Sequence, residues 1–197
     1  MSETADRYRR RADAFERTVV GVRPDQWANP SPCEKWTARD VVRHIVEMHA
    51  AMLHPLGRSL GPAPSMDEDP VAAFRAARAD VEAILDDPAL ANRTSDTPTG
   101  PVTAEQHIDQ VLSEDLPLHG WDLARATGQD DTIDPEDVER AWAGMRALPA
   151  ELMEKFRTPG AFGPDVEVFG SEVKVAQDAS SQDKLLAFIG RDPHWRP

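Results

Sequence analysis

Asp40-Val41-Val42-Arg43-His44 and Asp115-Leu116-Pro117-Leu118-His119 each put a carboxylate four residues before a histidine. On a helix that spacing stacks the two side chains on one face, a turn apart, where a metal ion can be held between them. If the two segments are neighbouring helices of one bundle, up to four hard or borderline donors converge on one point in the core. Each residue also has a plainer reading. Asp40 occupies the third position of a capping box opened by Thr37, so a helix cap is its stronger role. His44 lies among Val41, Val42 and Ile45 and points inward, either as a ligand or as a hydrogen-bonded core histidine. Asp115 shares an apolar face with His119 and needs a cation or several donors to be tolerated there. Its plainer role is to cap a new helical segment started by Pro117.

The other candidates fit one ion less well. His49 is five residues from His44, roughly 140 degrees around a helix, and His54 is about 15 Å further along the axis. Glu47, one turn from His44, is a candidate acceptor for the free N–H of that histidine. Cys33, between Pro32 and Glu34 in a loop, is either a reactive thiol near a helix N-terminus or a small hydrophobe. No Ser-His-Asp order, Gly-rich phosphate loop, HExxH or dinucleotide fingerprint is present.

Helices must position these residues, and helix signals dominate the chain. Tyr8, Ala12, Phe15 and Val19 recur at helical spacing, predicting a first helix over about 4–21. Thr37 to Asp40 opens a second, carried by Val41, Val42, Ile45, Met48 and Met52 to about Leu56. Asp69-Pro70 starts a third, which runs to about Asp86. Residues 87–102 read as a polar, proline-punctuated loop. Thr103 to Gln106 is another capping box, and its helix should reach Gly128, with a kink or break at Pro117. Asp134-Pro135 begins a fifth helix to about Lys155, bent or ended early by Pro149. Val166 to Val175 alternates about Gly170-Ser171 and reads as a hairpin. A last helix spans about 181–189. This pattern is an all-α bundle, with residues 1–155 forming the bundle and 156–197 a hairpin-plus-helix extension packed on it within the same domain.

Composition narrows the partners. The 197 residues suffice for one domain with a substantial core. A net charge of −13 argues against nucleic acid or an anionic membrane surface as the partner. The single cysteine excludes an internal disulfide and any multi-cysteine zinc site. With no apolar leader and no run long enough to span a bilayer, a soluble, cytoplasmic protein is expected.

Four strings carry a resemblance: Pro32-Cys33-Glu34-Lys35-Trp36-Thr37, Asp40 to Ile45, His119-Gly120-Trp121-Asp122-Leu123-Ala124 through Gly128, and Leu185-Leu186-Ala187-Phe188-Ile189-Gly190-Arg191-Asp192-Pro193. In this order they resemble metal-binding proteins of the DinB/YfiT-like superfamily, near the N-terminal domain of mycothiol-dependent maleylpyruvate isomerase. The resemblance implies a four-helix bundle holding one divalent ion, zinc first and nickel second, on His44, Asp115 and His119. Here the acid is Asp rather than the Glu of the isomerase, one methylene shorter in reach. It further implies a low-molecular-weight thiol of the mycothiol type as co-substrate, for transfer or isomerisation on a small electrophile. The contrasting expectation is a non-catalytic small-molecule-binding bundle with a vestigial metal site. Related bundles pair through a helix face, which allows a homodimer, although no exposed stripe marks the face.

Overall fold

Each long helix begins where the sequence supplies a cap. In the computed structural model, which describes residues 2–97, 100–161, 163 and 168–197, α1 (Glu3–Val20) starts with the Ser2 hydroxyl accepting from the Ala5 N–H. Thr37 and Asp40 cap each other's backbone at the head of α2 (Ala38–Leu53). Asp69, with Pro70 at the first helical position, opens α3 (Pro70–Asp86). A Thr103/Gln106 capping box starts the turn Ala104–His107, which continues through a π-helical stretch, Ile108–Leu112, into α4 (Ser113–Thr127). Gly128 ends α4 in the left-handed conformation, φ +67°, that glycine adopts without penalty.

These helices close into a four-membered ring in which α1 packs on α3 and α4, and α2 packs on the same two. Tyr8, Phe15, Ile45, Phe74, Ile84, Leu112 and Leu116 fill the centre and are essentially inaccessible to solvent. The expected all-α bundle is therefore present. Of the kink or break expected at Pro117, the break is absent, because α4 runs through that residue uninterrupted. Proline removes the N–H that would bond the Ser113 carbonyl, a cost of roughly 3 kcal/mol if nothing replaces it. Here Arg11 of α1 donates to that carbonyl at 2.8 Å from a nearly inaccessible side chain. The π-helical stretch just upstream also ends on Ser113, whose N–H reaches back to the Ile108 carbonyl.

Two local assignments change. Residues read as loop contain an antiparallel pair, β1 (Thr94–Thr97) and β2 (Gly100–Thr103), with Thr94 opposite Thr103 and Asp96 opposite Pro101. Neither strand is buried deeply enough to need an apolar face, so no alternating hydrophobic pattern announced it. The hairpin expected over 166–175 is not found in its described part. Residues 166 and 167 lie outside the described residues, and 168–175 form no strand. Instead the Gly170 N–H bonds the Ile189 carbonyl at 3.2 Å and the Val173 N–H bonds the Ala187 carbonyl at 2.9 Å. The alternation serves contact with the last helix rather than with itself.

The chain divides into two compact units, Met1–Asp131 and Thr132–Arg196, so the division falls ahead of the fifth helix. The second unit holds α5 (Pro135–Ala147), α6 (Ala150–Phe156) and α7 (Ser181–Phe188). Pro149 separates α5 from α6. Gly190, at φ +90°, lets the chain after α7 approach Gly170 so closely that a Cβ would lie 2.5 Å from its backbone. Among the described residues no helix is long and apolar enough to cross a membrane.

Candidate metal centre

Because α2 and α4 are neighbours, His44 from the middle of α2 meets the first two turns of α4. His44 Nε2 is 3.0 Å from Asp115 Oδ2, and His119 Nε2 is 3.5 Å from Asp115 Oδ1. The two imidazole rings are 4.6 Å apart, centre to centre. One donor atom from each of His44, Asp115 and His119 lies within 4.8 Å of the others. Three of the four residues of the paired sequence pattern are thus brought together. Asp40 is not among them. Its carboxylate accepts from the Thr37 N–H at 3.0 Å and the Thr37 hydroxyl at 2.6 Å. Burial works against that charge, but the Thr37 hydrogen bonds and nearby Arg43 outweigh it and hold the carboxyl below its usual range.

The far nitrogen of His119 has its own partner. Nδ1 is 2.9 Å from Oδ2 of Asp122, a carboxylate with no exposure at all. With Nδ1 engaged by Asp122, Nε2, the edge that faces Asp115, is the ring's ligand atom at this site. A tetrahedral ion with bonds of about 2.0–2.2 Å spaces its ligand atoms about 3.3 Å apart. The observed contacts, 3.0 Å to one oxygen of Asp115 and 3.5 Å to the other, lie near that spacing. Two imidazoles and one carboxylate are also a donor set that zinc-like ions accept, with a further position open. The residues therefore fit a divalent ion.

Asp122 is the residue at this candidate site that sequence reasoning left without a role. The signal was available in its position, three residues beyond His119 on the same helix, where the two side chains meet. Glu47, considered for a similar role, makes no hydrogen bond to His44 among the described residues. His49 is a core residue: Nδ1 is 2.6 Å from the Ile45 carbonyl and Nε2 is 2.9 Å from the Tyr8 hydroxyl. Burial drives its pKa down to about 4.

The loop before α2 closes the other side of the site. The Ser31 N–H bonds the Trp36 carbonyl at 2.9 Å, the Trp36 N–H bonds the Cys33 carbonyl at 3.1 Å, and Pro30 bridges to Thr37. Lys35 has φ +66°, alone among the described non-glycine residues in being positive. Such backbone persists only where its surroundings fix it. The turn lays the Trp36 ring 4.9 Å from His44 and 5.8 Å from His119, nearly parallel to the latter. It also brings the half-buried Cys33 Sγ to 3.2 Å from Asp122 Oδ2.

Residues 8–124 match the family model described as the mycothiol maleylpyruvate isomerase N-terminal domain. Two relatives, each an uncharacterized protein of Mycobacterium tuberculosis, come from strain CDC 1551 / Oshkosh and strain ATCC 25618 / H37Rv. Each is 33% identical to this chain over 184 residues, covering 93% of this chain and 95% of the relative. No solved structure gives a significant match.

Proposed function

The chain belongs to the mycothiol maleylpyruvate isomerase N-terminal domain family, and from that premise we propose that it is a divalent-metal-dependent thiol S-transferase or isomerase acting on a small electrophile. His44, Asp115 and His119 are the ligands in this reading, zinc the first candidate ion and nickel the second. The observation that carries it is the pair of imidazole nitrogens 3.0 and 3.5 Å from one carboxylate, with the second ring held from behind by Asp122. A bound zinc-like ion lowers the pKa of a thiol that joins it and polarises a carbonyl.

The chain's own residues supply the rest. Asp122 fixes the tautomer and angle of His119, as outer partners of metal-ligating histidines do. Asp115 offers each imidazole a separate oxygen, which keeps both rings turned toward one point. Trp36 packs against both rings, which leaves the approach of thiol and electrophile to the side it does not cover. The lone cysteine and a thiol co-substrate both suit a reducing, cytoplasmic setting.

The test has two stages. Protein purified without tag or chelator should carry near-stoichiometric zinc or nickel, absent from His119→Ala. Thiol-dependent turnover of a small electrophile should then be lost in His44→Ala while the circular dichroism spectrum is unchanged. Wild-type protein that neither carries nor takes up zinc, nickel or manganese would sink the reading and leave a non-catalytic binding bundle.

A further inference from the structure

His119 has a second face, and it too looks at ligand-type atoms. Nδ1 of His119, Oδ2 of Asp122 and Sγ of Cys33 form a triangle with edges of 2.9, 3.2 and 4.0 Å. One donor atom from each of the three lies within 4.8 Å of the others, as in the first centre. We propose that Cys33, Asp122 and the Nδ1 edge of His119 form a second cation site, selective for soft or borderline ions with filled d shells such as cadmium, zinc or copper(I). It is distinct from the centre on the Nε2 edge.

Three observations support it. The donors come from two independently fixed elements. His119 and Asp122 are three residues apart on α4 and so share a face. Cys33 is locked in the loop by the Ser31 and Trp36 backbone bonds and by the Ser31 hydroxyl, which donates to its carbonyl at 3.2 Å. The dimensions are close to what an ion needs: bonds of about 2.3 Å to sulfur and 2.0–2.2 Å to nitrogen and oxygen separate the donors by roughly 3.3–3.7 Å. Shifts of a few tenths of an ångström reach this from the observed edges. Finally, the donor types choose the ion. A thiolate with an imidazole favours soft and borderline metals over magnesium or calcium.

Binding is a proton-for-metal exchange. The Cys33 thiol proton leaves to solvent, and the Nδ1 proton of His119 passes to Nε2, facing Asp115, when the first centre is empty. Both sites draw on the same ring, so they compete for one imidazole.

The experiment is a cadmium titration of the metal-free, full-length protein, followed by the ultraviolet sulfur-to-cadmium charge-transfer band, with bound metal counted on the same samples. Cys33 is the only cysteine, so the band reports this site alone. The band should saturate at one sulfur-bound cadmium per chain in wild type and in His44→Ala, and be absent from Cys33→Ser with its circular dichroism unchanged. Asp122→Asn should weaken cadmium binding at least about tenfold. Cadmium bound to His44→Ala without the band overturns the site. So does a band of equal affinity in wild type, Asp122→Asn and His119→Ala, the behaviour of an isolated thiol. Failure here is separable from failure of the proposed function. A normal band beside unchanged zinc content in His44→Ala removes the first centre only, whereas zinc lost in His44→Ala with no band in any protein removes the second only.

Discussion

Asp122 bears on how firmly the candidate centre is held, because its buried carboxylate contacts the Nδ1 edge of His119 at 2.9 Å, opposite the edge that faces Asp115. Asp122→Asn keeps the shape of the side chain but no longer demands a proton on Nδ1. Zinc affinity, measured by competition with a chromophoric chelator, is expected to fall about 10–100-fold with little change in thermal stability. An unchanged affinity would mean that Asp122 serves only the packing. This residue also marks the limit of what the sequence disclosed at the site. His44, Asp115 and His119 were legible because a four-residue spacing has one geometric meaning on a helix. The partnership of His119 with Asp122 needed knowledge of ring orientation, and that of Cys33 with either needed a contact across 86 residues or more. Asp40 carried the same spacing to His44 as Asp115 does to His119. It is a cap because the first turn of α2 offers two donors from Thr37 before any metal could.

A second residue makes the fold sensitive to acid. His49 is completely buried against Tyr8, and its pKa is about 4 against an ordinary 6.5. Above pH 6.5 it is neutral in both folded and unfolded chains and costs nothing. As the pH falls toward about 4 the unfolded chain takes up a proton that the folded one refuses, so stability is lost over that window. The full shift corresponds to about 3 kcal/mol. Urea unfolding of wild type and His49→Gln between pH 7 and 4 should give a difference that shrinks or reverses with acid; parallel curves would contradict the assignment.

At the scale of elements, the helices were readable wherever capping residues and 3.6-residue periodicity agreed, which covers α1, α2 and α3 nearly end to end. They misled where tertiary contacts replaced local rules. Pro117 should break α4 by every local criterion, yet a guanidinium from another helix takes over the bond that proline removes. That compensation predicts a coupling. Arg11→Met strands the Ser113 carbonyl in a buried place and removes the 3.0 Å ion pair with Glu114, so it should destabilise by about 2–3 kcal/mol. In a Pro117→Ala background the new N–H can serve Ser113, and the cost of Arg11→Met should drop by about 1 kcal/mol. A double-mutant cycle by urea unfolding that returns no coupling would show that Arg11 does not stand in for the bond that proline removes. The pair β1–β2 escaped for the opposite reason: its strands are short and held by backbone bonds, with no apolar face to betray them.

For the whole molecule, the distribution of function along the chain follows from where the contacts lie. The main core cluster ends at Ala126, and His44, Asp115, His119, Asp122, Cys33 and Trp36 all fall within Met1–Asp131. The second unit has its own contacts: Trp142 against Phe188 at 5.4 Å between ring centres, and the Arg157 guanidinium donating to the Phe188 carbonyl at 2.8 Å. A chain of residues 1–131 contains every ring-closing helix contact of α1 to α4 and every donor atom of the centre. It should therefore fold to a cooperative helical protein and bind zinc within about threefold of the full-length affinity, since no ligand or ligand-orienting residue has been removed. Circular dichroism, thermal melting and the chelator competition would check this together. A fragment that folds but loses zinc would locate a missing metal contact in Thr132–Arg196. An unfolded fragment would instead show that the bundle draws part of its stability from the rest of the chain.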